Sequence, residues 1–191
     1  MNLPNKLTIL RIAMAPVFLA LLLLNFPHHY LAALLVFIAA SVTDLIDGKI
    51  ARKYNLITDF GKFMDPLADK MLTTAAFLGF MQLHLGWGIT WITMIVLTRE
   101  FLITSVRLSA AGAGKVIAAN IWGKAKTVSQ MAAIILVMAA EYVMSLGLLT
   151  GTAGDVVRIG YSAVLWISAL LTVVSGVIYV VDNRQFVDTR K

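Results

Sequence analysis

Four aspartates have the types and spacing to do chemistry. Asp44 and Asp47 are three residues apart, and Asp65 and Asp69 are four apart. On a helix each pair shares one face. Asp44 and Asp47 share theirs with Gly48 and Ala51, which have almost no side chain and let a ligand approach the backbone. A short turn between the two helices lets them pack as an antiparallel pair, which gathers the carboxylates at one spot. Like charges in a low-dielectric setting need positive charge among them. Carboxylate oxygens suit hard cations such as Mg²⁺, Ca²⁺ or Mn²⁺ better than softer metals. Two ions held this way suit in-line substitution at phosphorus. Arg52 stands where its planar donor fork can meet a phosphate. One aspartate near a membrane surface is ordinarily solvated, and a pair beside a lysine is ordinarily a salt bridge. Two helical pairs between apolar runs are costly to keep, and such acids tend to be functional.

The elements that must position these residues are apolar runs. The chain has 191 residues, 60% of them hydrophobic, and a mean hydropathy of +0.86. Six apolar segments run approximately over 8–25, 30–50, 66–84, 88–110, 127–148 and 159–181. Each is close to the length that spans a hydrocarbon core about 30 Å thick at 1.5 Å per residue. The third must begin earlier than Pro66, near Thr58 or Asp59, either of which can cap it. The expected fold is all-α: six transmembrane helices around a polar cavity open to the cytoplasm, with 1–191 as one transmembrane domain. The first run ends Leu24-Asn25-Phe26-Pro27 without a small-x-small cleavage site, and reads as a retained anchor.

Charge and composition narrow the partners. The net charge is +6, clustered between apolar runs, which favours anionic lipid head groups or phosphorylated substrates and not nucleic acid. The absence of cysteine excludes disulfides, thiolate nucleophiles and zinc–thiolate sites. Lys and Arg gather at the amino end, around 49–70, around 107–126 and in the tail, whereas the links 26–29 and 85–87 have none. The positive-inside rule then makes both termini cytoplasmic. Trp87, Trp91, Tyr142 and Tyr161 fall near the other face as interfacial aromatics, with His28, His29 and His84 near the same ends.

The order D-x2-D-G-x2-A-R-x8-G-x3-D-x3-D, carried here by Asp44, Asp47, Gly48, Ala51, Arg52, Gly61, Asp65 and Asp69, resembles the signature of the CDP-alcohol phosphatidyltransferase family without a departure. The opening Pro4-Asn5-Lys6-Leu7-Thr8-Ile9-Leu10-Arg11 is similar to one common in the bacterial branch. The resemblance implies a transferase of phospholipid biosynthesis in a bacterial inner membrane, working as a homodimer. It implies that Asp44, Asp47, Asp65 and Asp69 hold two divalent cations, Mg²⁺ or Mn²⁺, with Asp69 also the general base. It implies that Asn5, Thr8, Gly48, Ala51, Arg52 and Gly61 bind CDP-diacylglycerol.

The signature names the donor and leaves the acceptor open. Thr98 to Arg107 and Gly123 to Gln130 resemble the branch that uses glycerol 3-phosphate. Arg99, Arg107, Lys124 and Lys126 form an expected basic pocket for the acceptor phosphate, which carries about two negative charges. Each of these cations also has a plainer reading. Lys124 and Lys126 are ordinary positive-inside residues, Arg99 can pair with Glu100 or an aspartate, and Arg107 can snorkel. Inositol phosphate, serine or phosphatidylglycerol remain alternative acceptors, and a cation transporter is the reading from another class. Against transport, the carboxylates lie near one surface and not at the midplane. Glu141, deep in the fifth run, receives no role.

Overall fold

In a computed structural model, the protein is described for backbone residues 3–53, 59–112, 117 and 121–184. Side chains are described for 5–44, 64, 67–68, 70–111, 117 and 121–184. Among the described residues all regular structure is α-helical. The helices are α1 (Leu3–Leu23), α2 (His29–Lys53), α3 (Asp59–Gln82), α4 (Ile89–Gly112), α5 (Ile121–Ser145) and α6 (Thr152–Asp182).

Each helix corresponds to one apolar run, but the ends differ for a physical reason. A helix does not stop where its apolar run stops. The polar stretch Asn5 to Arg11 is helical and starts α1 ahead of the run. The expected early start of the third segment holds, with α3 opening at Asp59. In the last link the chain turns at Gly151, with φ 59°, and α6 begins at Thr152, ahead of the apolar run. Among the described residues four spans are long and apolar enough to cross a membrane: Asn5–Leu23, Ile89–Ala111, Ile121–Ser145 and Thr152–Asp182. The apolar part of α2, His29–Asp44, is shorter. The first half of α3 carries the charged motif residues and keeps that helix out of the set.

Packing places α1 in the middle of one half of the bundle. It lies against both α2 and α3, while α6 lies against α4 and α5, and α2 meets α5. α2 and α3 do touch, but among the described residues α1 makes the more extensive contact with each of them. The expected α2–α3 pair is therefore bridged by a third helix. The buried face of α1 reads Asn5, Thr8, Arg11, Ala15, Phe18 and Leu22, at helical spacing of three and four. It is polar beside the aspartate end and apolar towards the other, where Phe18 meets Phe37 at 5.6 Å between ring centroids. Between membrane-spanning helices such contacts hold by close packing, because lipid tails are as apolar as the side chains. The polar upper half must instead be satisfied by partners.

Tight turns close the other end. His28 and His84 adopt positive φ of 63° and 54°. His29 Nδ1 lies 3.0 Å from the Leu22 carbonyl, and Tyr142 Oη lies 3.3 Å from His28 Nδ1. Trp87 and Trp91 are exposed there, as the aromatic pattern leads one to expect. Tyr161 departs from that expectation. It is buried, and its hydroxyl donates to Glu141 Oε1 at 2.7 Å. A buried carboxylate needs a donor, and Tyr161 is the residue one helix away that supplies it.

Candidate active site

The aspartates sit on regular helix. Asp44 and Asp47 lie within α2, and Asp65 and Asp69 lie within α3. The spacing that puts each pair on one face is therefore realised in the backbone. Of these four side chains only that of Asp44 is described. The side chains of Asp47, Gly48, Ala51, Arg52, Gly61, Asp65 and Asp69, and with them the expected convergence of carboxylates, lie outside the described residues. No cluster of three or more metal-ligating side chains occurs among the described ones.

Asp44 has a partner that sequence reasoning did not assign. Arg11 of α1 sits 2.5 Å from Asp44 Oδ1, with its side chain 2% exposed against 39% for the aspartate. Burying a guanidinium is costly unless it is paired. The pair thus holds one end of α1 against α2 at the motif. Asn5 and Thr8 share that buried face of α1 with Arg11, which puts two of the residues expected to bind the nucleotide lipid on the motif side of the helix. The donor set fits a hard cation, since Asp44 offers a partly exposed carboxylate and the other three acidic positions offer only oxygen.

Directly after Asp69 in the chain, Lys70 begins a second charged group. Its centre is Glu100 of α4. Arg99 Nη1 donates to Glu100 Oε1 at 3.0 Å. Lys126 of α5, buried, donates a short hydrogen bond to the same oxygen. Lys70 Nζ lies 3.7 Å from Glu100 Oε2 and also donates to Thr104. Three helices are thus tied through one carboxylate. Among the described side chains three cations here meet one anion, in a place only 6–29% exposed, as judged by the lysine side chains. Arg99 Nη2 further donates to Ser175 Oγ at 3.1 Å, while its buried Nε has no hydrogen-bond partner among the described residues.

The expected basic pocket is therefore only partly assembled. Arg99 and Lys126 come together. Arg107 is farther along α4, its Nε donating to Tyr179 Oη at 3.2 Å and its guanidinium 5.6 Å from that ring's centroid. Lys124 is exposed, on a different face of α5 from Lys126. Glu100, read from the sequence as a partner for Arg99, does pair with it and centres the cluster, whereas Lys70 was not assigned to it.

A polar stripe on α6 was also missed. Ser168, Thr172, Ser175 and Tyr179 are buried and recur at spacings of four and three. Gln130 of α5 donates to Thr172 Oγ1 at 3.1 Å, and Thr172 donates back to the Ser168 carbonyl at 2.8 Å. The signal was present as hydroxyls at helical period inside an apolar span. Beside it, Gly176 lets the Arg99 stem pass, since a Cβ there would stand 3.1 Å from Arg99 Cγ.

The profile of the CDP-alcohol phosphatidyltransferase family matches residues 1–180. A CDP-diacylglycerol–glycerol-3-phosphate 3-phosphatidyltransferase of Bacillus subtilis (strain 168) is 39% identical over 98% of both chains. A probable phosphatidylglycerophosphate synthase of Mycobacterium tuberculosis (strain ATCC 25618 / H37Rv) is 39% identical over 94% of this chain and 80% of its own. A CDP-diacylglycerol–glycerol-3-phosphate 3-phosphatidyltransferase of Rickettsia bellii is 37% identical over 93% of both. With a motif on two adjoining helices, a paired Asp44 and a match over nearly its whole length, this chain belongs to the CDP-alcohol phosphatidyltransferase family.

Proposed function

We propose that this protein transfers the phosphatidyl group of CDP-diacylglycerol to glycerol 3-phosphate, giving phosphatidylglycerophosphate and CMP. The acceptor hydroxyl attacks the phosphorus that bears the diacylglycerol, the P–O bond to CMP breaks, and the hydroxyl proton passes to Asp69 as general base. Asp44, Asp47, Asp65 and Asp69 would hold two divalent cations, Mg²⁺ or Mn²⁺, and these would supply charge neutralisation for the diphosphate and the leaving CMP. Asn5, Thr8, Gly48, Ala51, Arg52 and Gly61 line the path of the CDP moiety. Arg11 holds the Asp44 carboxylate in place through its ion pair.

The observation that carries the acceptor assignment is the cation cluster around Glu100, directly after Asp69. Its surplus positive charge suits an acceptor that brings its own phosphate dianion. The unused Nε of Arg99 is a donor waiting for such an oxygen. A neutral or zwitterionic acceptor such as serine would leave that charge uncompensated. Arg107 and Lys124 serve at the entry to the pocket.

The whole chain, 1–191, acts as one six-span domain around a polar cavity. It sits in a bacterial cytoplasmic membrane as a homodimer, with both termini and the site on the cytoplasmic side. Lipid tails stay in the bilayer while nucleotide and acceptor come from water, so the reaction belongs at that interface.

The test is CMP release by purified protein from CDP-diacylglycerol, with glycerol 3-phosphate, inositol phosphate, serine or phosphatidylglycerol supplied in turn, with and without Mg²⁺ or Mn²⁺. Turnover with glycerol 3-phosphate alone, and only with metal, is expected. Equal turnover with serine would remove the acceptor assignment. Ion flux in proteoliposomes without CMP release would favour a transporter.

A further inference from the structure

The end of the bundle away from the aspartates carries a feature that phosphatidyl transfer does not use. Lys70 and Leu83, the residue just past the end of α3, bound the apolar half of that helix, roughly 20 Å apart at 1.5 Å rise per residue. At the Leu83 end a groove of about 920 Å³ opens between the α3–α4 turn and the first turns of α6. Its lining includes His84, Trp87, Arg158, Tyr161 and Trp166.

The groove is built and not merely left over. Trp87 N–H donates to Ser162 Oγ at 3.0 Å, and Trp166 Nε1 donates to the Trp87 carbonyl at 2.9 Å. Gly86 and Gly88 hold positive φ of 98° and 70°. A Cβ would come within 2.7 Å of Leu165 at the first and 2.9 Å of Trp166 at the second. The turn is therefore pressed onto α6 where a side chain would not fit. Because the Trp166 N–H is satisfied inside the wall, this indole offers its apolar ring.

Arg158 is the one charged group in this lining. No other Lys or Arg occurs between Lys126 and Arg184. Among the described residues its guanidinium makes no hydrogen bond or ion pair. Asp155, one turn earlier, forms no ion pair with it, and Glu141 is buried and engaged by Tyr161. A cation among indoles at the edge of the hydrocarbon sits at head-group level. A planar guanidinium with free donors matches a phosphodiester. The groove is at the upper end of the size of small-molecule sites, enough for a head group and the start of its chains.

We propose that this groove is a binding site for an anionic phospholipid of the leaflet opposite the aspartate motif. Arg158 holds the lipid phosphate, and Trp87 and Trp166 flank the glycerol backbone. The site is separate from the transfer chemistry, and its failure would leave the transferase reading standing.

Purified full-length protein in nanodiscs of equimolar phosphatidylglycerol and phosphatidylcholine provides the test, with co-released lipid counted by native mass spectrometry. Wild type is expected to retain phosphatidylglycerol about tenfold over phosphatidylcholine, a preference of the size that one charge-assisted contact gives. Arg158→Gln should bring the two lipids to parity, and Arg158→Lys should keep most of the preference. CMP release at the far site verifies that each variant is folded and should be unchanged. Parity in wild type, or an undiminished preference in Arg158→Gln, overturns the proposal. So does a fall in oligomeric mass in Arg158→Gln without any lipid preference, which would mean that a second copy of the chain occupies the groove.

Discussion

Arg11 on α1 and Asp44 on α2 form an ion pair of 2.5 Å that joins the amino-terminal helix to the aspartate motif. The guanidinium is the buried partner, so the pair is anchored from the α1 side while the carboxylate keeps access to the site. α1 thereby does more than anchor the chain, because it sets the position of a carboxylate proposed to hold metal.

Replacing Arg11 should injure both stability and turnover. Arg11→Ala leaves Asp44 without its cation and opens a hole in the polar half of the α1 face. A stability loss of about 1–3 kcal/mol is expected, read as thermal unfolding in detergent. CMP release should fall by roughly a hundredfold, as for loss of one oriented electrostatic group. Arg11→Lys should recover part of the stability and less of the rate, since a single ammonium does not reproduce the planar fork. Unchanged turnover in Arg11→Ala would mean that Asp44 needs no orientation.

The aspartates should separate by role. Asp44→Asn, Asp47→Asn and Asp65→Asn each remove an anionic ligand and should lower CMP release by about 10²–10³-fold or more, with weakened Mg²⁺ or Mn²⁺ affinity by calorimetry. Asp69→Asn should abolish turnover as strongly while keeping part of the binding of CDP-diacylglycerol. Wild-type activity in purified Asp65→Asn would remove it from the metal set.

Glu100 should behave as the centre of a charge cluster. Glu100→Gln leaves Lys70, Arg99 and Lys126 facing one another with no anion between them, and should cost about 1–3 kcal/mol in thermal stability. The double substitution Glu100→Gln with Lys126→Met should cost less than the two single changes together, because both partners of a buried pair are then gone. Additive losses would show that the two side chains do not interact in solution.

Arg107 provides a test of the acceptor pocket. Arg107→Ala should raise the KM for glycerol 3-phosphate by about tenfold, as loss of one charged hydrogen bond does, and leave that for CDP-diacylglycerol nearly unchanged. Tyr179→Phe, which removes the hydroxyl that accepts from Arg107 Nε, should produce a smaller shift in the same direction. Equal effects of Arg107→Ala on both substrates would take Arg107 out of that pocket.

Much of this protein was legible without coordinates, because the determinants are local. Long apolar runs state the number of helices, since an unpaired backbone cannot be left in hydrocarbon. Aspartates at three- and four-residue spacing announce a shared face once the segment is helical, and α2 and α3 are helical through them. Which helix lies beside which was not legible, because an apolar face has no preferred apolar partner. Only the fold placed α1 against both α2 and α3, paired Arg11 with Asp44, and drew Arg99 and Lys126 onto Glu100 while leaving Lys124 exposed. A charged residue's sequence gives its sign and helical face; its partner depends on which other helix presents the opposite charge within a few ångströms, and that is settled by packing.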